Sequence, residues 1–444
     1  MKVALISPRG AERNQQNNLL REVYHRVSDA LIFVEVDDIE FMPNLGLLSV
    51  ASYIPPDWEI TYIDENYIDL NGTPPSFIWE DFDLVCLGGF NHQANRAYQI
   101  ATAFRKRNIP VVMGGLHASA LPEEALQYVD VVIVGEGEDA FPRFLNDFER
   151  GKYEKIYLSS GDVDLTKVLP PRYDLINIKN YNKIPIVATR GCPHNCEFCC
   201  LKGIYGPKHR KKTVEQVCNE LDMIKSLGEE RFISFADENM LVDRKYAKEL
   251  LKAIVPYNLT YECYCDTAAA DDPEMIDLLK ESGCVEALIG FESIDLENLE
   301  KLEPWKARQL KNYPRVIEAF QSRGIGVVAL FVVGFDHDTP DTFKKILDFC
   351  SENAVFDIDV SILTPIPGSR LFDKIHNNGR MLSTNWDEYN WHHVNFRPRL
   401  LSPQELRQGL NWLYKEFYKQ EEVTKRYKRF GDLFDSLFEY GIAR

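Results

Sequence analysis

The chain reads as an α/β protein: an N-terminal doubly wound, Rossmann-like sheet (residues 1–145), a linker (146–182), a partial (β/α)6, TIM-like barrel (183–385) and a small helical C-terminal extension (386–444). Three observations carry this. Apolar strand-like runs alternate with helix-like segments, the pattern of parallel sheets covered by helices. The alternation is broken once, by a polar connector containing ProProArg, and then resumes for six further units. The tail changes to helical periodicity without strands.

In the first part, Lys2 to Pro8 is a short apolar strand ending in a loop. Pro43 to Tyr53 has helical spacing, and Trp58 to Asp64 alternates as a strand. Leu84 to Gly89 and Val111 to Gly115 are apolar runs, each closed by GlyGly, with the helix-like Ala94 to Lys106 between them. Val131 to Val134 is a further strand. Such sheets bind ligands at the carboxyl ends of their strands. Those ends carry Ser7, Gly88, Gly89, Asn91, Gly114, Gly115, His117, Gly135, Glu136 and Gly137, and paired glycines let a bulky ligand approach the backbone. A nucleotide is one candidate ligand, but no G-x-G-x-x-G follows the first strand.

The second part places strands at Ile184 to Thr189, Phe232 to Ala236, Tyr261 to Cys265, Glu286 to Phe291, Gly326 to Val333 and Asp357 to Leu363. Helical segments such as Val214 to Leu227 and Pro273 to Ser282 separate them. In barrels of this type chemistry gathers at the strand carboxyl ends. In the tail, Trp386 to Pro398 is aromatic-rich and holds His392, His393 and Asn395. Ser402 with Glu405 three residues later then forms a capping box that opens a helix.

Composition narrows the function. The apolar fraction of 45% and aromatic fraction of 12% over 444 residues suit a globular chain with sizeable cores. A net charge of −17 argues against phosphate-backbone binding, so DNA is not an expected partner. The lone basic run Lys208 to Lys212 reads as a solvated or anion-facing loop. No apolar run is long enough to span a bilayer. Met1 to Ser7 reads as a strand rather than a signal peptide, and ten cysteines then suggest a reducing, cytoplasmic setting.

The chemistry concentrates in residues 189 to 200, ThrArgGlyCysProHisAsnCysGluPheCysCys. Cys192, Cys196 and Cys199 form a C-x3-C-x2-C triplet. Three thiolates this close can hold three irons of a [4Fe–4S] cube, leaving the fourth iron open to a small molecule. A zinc site with His194 as fourth ligand and chance burial of three cysteines are the competing readings. Cys263, Cys265 and Cys284 read as core residues or as a second cluster.

The triplet, with Phe198 before its third cysteine, resembles the radical S-adenosylmethionine (SAM) superfamily. ProAsnLeuGlyLeuLeuSerValAla, GlyGlyLeuHisAlaSerAlaLeuProGluGlu and GlyGluGlyGluAsp resemble, in order, the cobalamin-binding domain that precedes many radical SAM domains. The resemblance implies a [4Fe–4S] cluster, SAM and cobalamin as cofactors. It places Phe198, Asp237, Glu238 and Glu292 toward SAM, apolar Phe331 to Asp336 along adenine, and the strand-end residues of the first part toward cobalamin. None of the nine histidines has an Asp two residues before it, so the D-x-H-x-x-G motif of cobalamin mutases is missing and no histidine ligand to cobalt is expected.

The resemblance further implies a C-methyltransferase of the class B radical SAM type. Cobalamin would take a methyl group from one SAM, and a deoxyadenosyl radical from another would open an unactivated carbon to receive it. The substrate would be a protein side chain, a lipid, a tetrapyrrole or a natural-product precursor, and the electron would come from a flavodoxin or ferredoxin. The alternatives are an oxidative cyclase or other non-methylating radical enzyme and, in another class, a cobalamin or redox sensor.

Overall fold

The computed structural model describes residues 1–10, 42–68, 70, 82–228 and 230–442. Its first sheet holds β1 (Lys2–Ser7), β2 (Glu59–Asp64), β3 (Leu84–Gly88), β4 (Val111–Gly114), β5 (Val131–Val134) and β6 (Ile156–Leu158). All pairings are parallel, in the order β2-β1-β3-β4-β5-β6. Strand order reverses between β1 and β3, so the ligand crevice expected of such sheets opens at their carboxyl ends. Both faces are covered, which is why the strands read as continuous apolar runs. Val3 and Leu5 pack toward the helices Leu45–Ala51 and Gly137–Glu149, while Ala4 and Ile6 pack toward the helix Ala94–Arg105.

The sheet extends further than the sequence reading. Strand β6 comes from the stretch read as a linker, and the helix Gly137–Glu149 runs past residue 145. Three residues with one buried side chain, Tyr157, are too few to show a period beside charged neighbours. The remaining connector is also packed. Tyr173 is buried, and its hydroxyl donates to the Pro185 carbonyl at 2.9 Å.

The second sheet holds β7 (Lys183–Ile186), β8 (Phe232–Phe235), β9 (Tyr261–Cys265), β10 (Cys284–Glu292), β11 (Gly326–Val333) and β12 (Asp357–Ile362). Its strands are parallel and lie side by side in chain order, with β7 and β12 at the edges of an open barrel. Outward-facing residues such as Ile233, Phe235, Cys263, Cys265 and Ala287 form one core with the surrounding helices. Across β8, Lys183 pairs with Glu262 at 2.7 Å and Ser234 donates to the same carboxylate at 2.8 Å, all three buried.

The tail divides its work. The helix Gln420–Phe438 closes the amino-terminal end of the barrel, packing Phe430, Leu433, Phe434 and Leu437 against Phe232 and Phe356. The helix Pro403–Phe417, opened by the Ser402–Glu405 capping box, lies along the helix Asp341–Glu352. The aromatic loop before it reaches the carboxyl end instead, where the Ile362 amide donates to the Trp391 carbonyl at 2.6 Å. No described helix is long and apolar enough to cross a membrane.

The two sheets are joined by a buried ion network. Thr189–Arg190 pairs with Arg210–Lys211 in a short antiparallel ribbon just before the cysteine triplet. Arg190 and Arg210 both reach Glu136, at 2.9 and 2.7 Å, and Arg190 also bonds Glu138. The Glu136 carboxylate is fully buried. Burial pushes the Glu138 carboxyl up, but the Arg190 charge outweighs this and holds it below its usual range.

Removing one member of such a network leaves a buried charge uncompensated, at about 3–5 kcal/mol. Glu136→Gln is therefore expected to lower the urea midpoint by a corresponding amount. An unchanged midpoint contradicts the network's role.

Candidate functional site

The cysteine loop leaves β7 and turns at Gly191, whose φ is +95°. A Cβ there would lie 2.3 Å from the Lys208 carbonyl oxygen, so only glycine fits between the ribbon and the loop. Beyond the turn the loop is pinned on both sides. The His194 Nε2 bonds Asp266 at 2.9 Å while its ring stacks on Trp305 at 4.5 Å. The Leu371 amide donates to the Glu197 carbonyl, and the Glu197 carboxylate pairs with Lys374, both at 3.0 Å. With its Nε2 on Asp266, His194 positions the loop and is a poor fourth ligand for zinc.

Cys192, Cys196 and Cys199 are all partly exposed. Burial pushes their thiols up to about 11, 12 and 11, partly offset by backbone amides at Cys192 and Cys199 and by the Lys306 charge at Cys196. As thiolates they need positive charge between them, which iron supplies, so the donor set fits a cluster with one open iron. Lys306 is a second cation nearby. Its ammonium is buried against Glu292 at 2.8 Å and the Gly290 carbonyl at 3.0 Å. Glu292 sits at a register break in β10 with φ +65°, a strained conformation for a non-glycine residue.

The other residues expected near SAM divide. Asp237 is buried and accepts hydrogen bonds from the Thr189 amide and hydroxyl and, at 3.3 Å, from the Ala188 amide. It ties down the root of the loop rather than facing a ligand, because the chain leaving β7 presents unpaired amides there. Burial raises its carboxyl to about 7. Glu238 accepts from the Gly191 amide at 2.9 Å. Phe198 lines a cavity of about 450 Å³, including the part open to solvent, with Phe335, Leu363, Leu371, Arg380 and Phe396. This space lies between the cysteine loop and the ends of β11 and β12.

At the first sheet, the strand-end residues gather along one edge, but several serve packing. Gly115, with φ +95°, would place a Cβ 2.7 Å from the Gly89 carbonyl; at Gly137 a Cβ would meet Val50 at 2.5 Å. Gly88 lies against Leu47, Gly135 against Ser159 and Gly114 against Ile133, while Ser7 ends β1 buried. His117 is fully buried, with Asn91 at 3.1 Å on Nδ1, Tyr98 at 2.8 Å on Nε2 and Trp386 edge-on at 4.9 Å. Both ring nitrogens and Asn91 are thus committed to the interior, and Glu136 to the ion network. Sequence does not show these side-chain partners.

What the edge does offer is aromatic surface and one idle nitrogen. Phe90 after β3 and Trp391 from the tail are 47% and 37% exposed. Between them the buried His92 Nδ1 has no hydrogen-bond partner among the described residues. Exposed aromatic side chains can pack on a macrocycle, and an unpaired neutral imidazole nitrogen can ligate a metal. Sequence reading passed over His92 and Lys306, which stand in no motif, and read Arg210 only within the basic run Lys208 to Lys212, where it in fact faces the buried Glu136 carboxylate.

Gly191→Ala is expected to lower iron and sulfide retained after reconstitution at least several-fold while leaving far-ultraviolet circular dichroism unchanged. Full cluster loading in this variant would show that the turn does not position the loop.

Two family models match the chain: "Radical SAM superfamily" over residues 186–350 and "B12 binding domain" over residues 40–145. The bacteriochlorophyllide d C-12(1)-methyltransferase of Chlorobaculum tepidum is 30% identical over 389 residues, 86% of this chain and 84% of that protein. The hopanoid C-2 methylase of Rhodopseudomonas palustris is 29% identical over 358 residues, 78% and 67% of the two chains. The radical S-adenosylmethionine methyltransferase TsrM of Kitasatospora setae shares the fold, with a TM-score of 0.64 at 17% identity over 85% of this chain and 76% of that one. The two matched domains bring a [4Fe–4S] cluster, SAM and cobalamin as cofactors. The chain belongs to the family of cobalamin-dependent radical SAM methyltransferases.

Proposed function

We propose that the protein methylates an unactivated carbon of a large, ring-containing apolar substrate. One observation carries this reading: the root of the cysteine loop is ion-paired directly to the carboxyl edge of the first sheet through Arg190, Arg210, Glu136 and Glu138. Sites for a radical source and for a methyl carrier then lie on the same face of the molecule. The substrate class follows from the tetrapyrrole and hopanoid ring systems in the relatives' names.

When bound, the cluster supplies the electron that cleaves SAM, and cobalamin carries the methyl group. The chain's residues do the positioning. Cys192, Cys196 and Cys199 hold three irons, and Asp237 and Gly191 fix the strand-to-loop turn that aims them. Phe198, Phe335 and Phe396 offer an apolar wall for adenine, and Glu238, on the Gly191 amide, and Glu292, on Lys306, offer carboxylates toward the rest of SAM. The Lys306 ammonium offsets thiolate charge beside Cys196. The loop from Trp386 to Asn395 covers the junction and excludes water from the radical. A small reduced electron carrier completes the cycle.

Reconstituted protein given methyl-labelled SAM, cobalamin, a reductant and a tetrapyrrole or hopanoid substrate is expected to form S-adenosylhomocysteine and 5′-deoxyadenosine together, with label in the product. Cys192→Ala, Cys196→Ala or Cys199→Ala is expected to abolish 5′-deoxyadenosine. Deoxyadenosine without S-adenosylhomocysteine sinks the methylation reading and favours a non-methylating radical enzyme. Neither product from fully loaded, reduced protein favours a sensor.

A further inference from the structure

We infer that Lys306 raises the reduction potential of the iron–sulfur cluster: its buried ammonium stabilises the added electron, and Glu292 both fixes the ammonium and partly offsets its charge. The inference rests on the cluster being held by Cys192, Cys196 and Cys199.

Lys306 comes from a segment that clasps the cysteine loop. The Glu303 carboxylate accepts the Asn195 amide at 3.0 Å, and Trp305 stacks on His194 at 4.5 Å. His194 and Asn195 directly precede Cys196, and Lys306 follows Trp305 in the helix Pro304–Gln309. Its side chain is 7% exposed. Two of its three N–H groups donate to the Gly290 carbonyl, at 3.0 Å, and to Glu292, at 2.8 Å. The third has no acceptor among the described residues. A buried donor left unpaired costs free energy unless a group from outside the chain accepts from it. The pair is also wedged in place. A Cβ at Gly290 would lie 2.5 Å from Glu292 Oε1 and 3.3 Å from Lys306 Nζ. The strained φ of +65° at Glu292 keeps its carboxylate on that side.

Reduction adds one electron to the cluster, supplied by the reduced carrier, and no bond forms or breaks. The added negative charge is stabilised by a nearby cation, and more strongly where little water screens it. Burial pulls the Lys306 pKa down, but the charges of Glu292 and Cys196 outweigh this and hold it above its ordinary value, so the side chain stays cationic at neutral pH. Lys306 is in turn the charge that acts most on Cys196. Other cations at the loop are less suited. Lys374 is 34% exposed and spans both carboxylate oxygens of Glu197 at 3.0 Å. Arg370 is exposed and donates to the Asn195 carbonyl at 2.5 Å. A buried ion pair is a poor source of stability, since an apolar pair often packs as well. What an apolar pair lacks is a field at the cysteines.

Redox titration tests this without turnover. Full-length protein is reconstituted with iron and sulfide, without SAM or cobalamin, and poised with mediators; the reduced cluster is counted by electron paramagnetic resonance. At the potential where half the wild-type cluster is reduced, Lys306→Met is expected to lower the ratio of reduced to oxidised cluster about tenfold, a midpoint lower by about 59 mV. Lys306→Arg, which keeps the charge, is expected to stay near the wild type. Glu292→Gln, which removes the opposing charge, is expected to shift the ratio the other way. A merely structural role would not move the two variants in opposite directions. An unmoved midpoint in Lys306→Met, a fall in Lys306→Arg as large as in Lys306→Met, or shifts of the same sign in Lys306→Met and Glu292→Gln overturn the inference. If Lys306→Met retains no cluster, Glu292→Gln decides: a raised midpoint supports the inference and an unmoved or lowered one overturns it. A wild type that forms no reducible cluster overturns the assignment of the cysteine triplet as well.

Discussion

The Arg190–Glu136–Arg210–Glu138 network sets how the two halves of the molecule meet. The halves also share apolar contacts: Leu48 packs into the barrel core, and Ile366, Trp386 and Tyr389 pack into the core of the first sheet. Neither alone places a radical source beside a methyl carrier. Burying four charges is a poor way to gain stability, since desolvation offsets much of the attraction. It is a good way to fix one orientation, because a misdocked arrangement would strand charges in the interior. The network also sits where orientation matters: Arg190 directly precedes Gly191, and Glu136 lies in the loop after β5. A displacement at this seam would move the cysteine loop relative to the sheet edge by a similar amount.

Some of the strained and unpaired groups lie close to the chemistry. Glu292 and Trp391 hold positive φ, and the Nδ1 atom of His92 has no partner among the described residues. Elsewhere, buried polar side chains are more often paired, as in Lys183–Glu262–Ser234 and His117–Tyr98–Asn91. At a functional site a ligand can compensate such departures from local rules. The tail follows the same division. Its last helix seals the barrel with aliphatic and aromatic side chains, whereas its aromatic loop is set against both the end of β12 and the first sheet.

Much of this was legible in the sequence, for a physical reason. Strands of a parallel sheet are buried on both faces, so β1, β3, β5 and β11 appear as uninterrupted apolar runs. The cysteine triplet was legible because iron ligation demands a fixed residue type at fixed spacing. Strand β6 was not, since three residues carry no period. Nor was the ion network, because Arg190 and Glu136 are 54 residues apart and charged residues on a loop usually face water. His117 drew attention through its glycine-flanked setting, yet its partners Tyr98 and Asn91 come from a different helix and turn. A side chain's burial and partners decide whether it meets a ligand, and both are properties of the assembled fold.

The central claim is that cluster and cobalamin face each other across this seam. It is tested most directly by magnetic coupling between them. Fully loaded protein with the cluster reduced and cobalt as cob(II)alamin holds two unpaired electrons, one on each metal site. The account predicts mutual dipolar broadening and faster relaxation of the cobalt signal than in a Cys192→Ala/Cys196→Ala/Cys199→Ala protein that carries cobalamin alone. Cobalt lines and relaxation times that are identical with and without the cluster would contradict it.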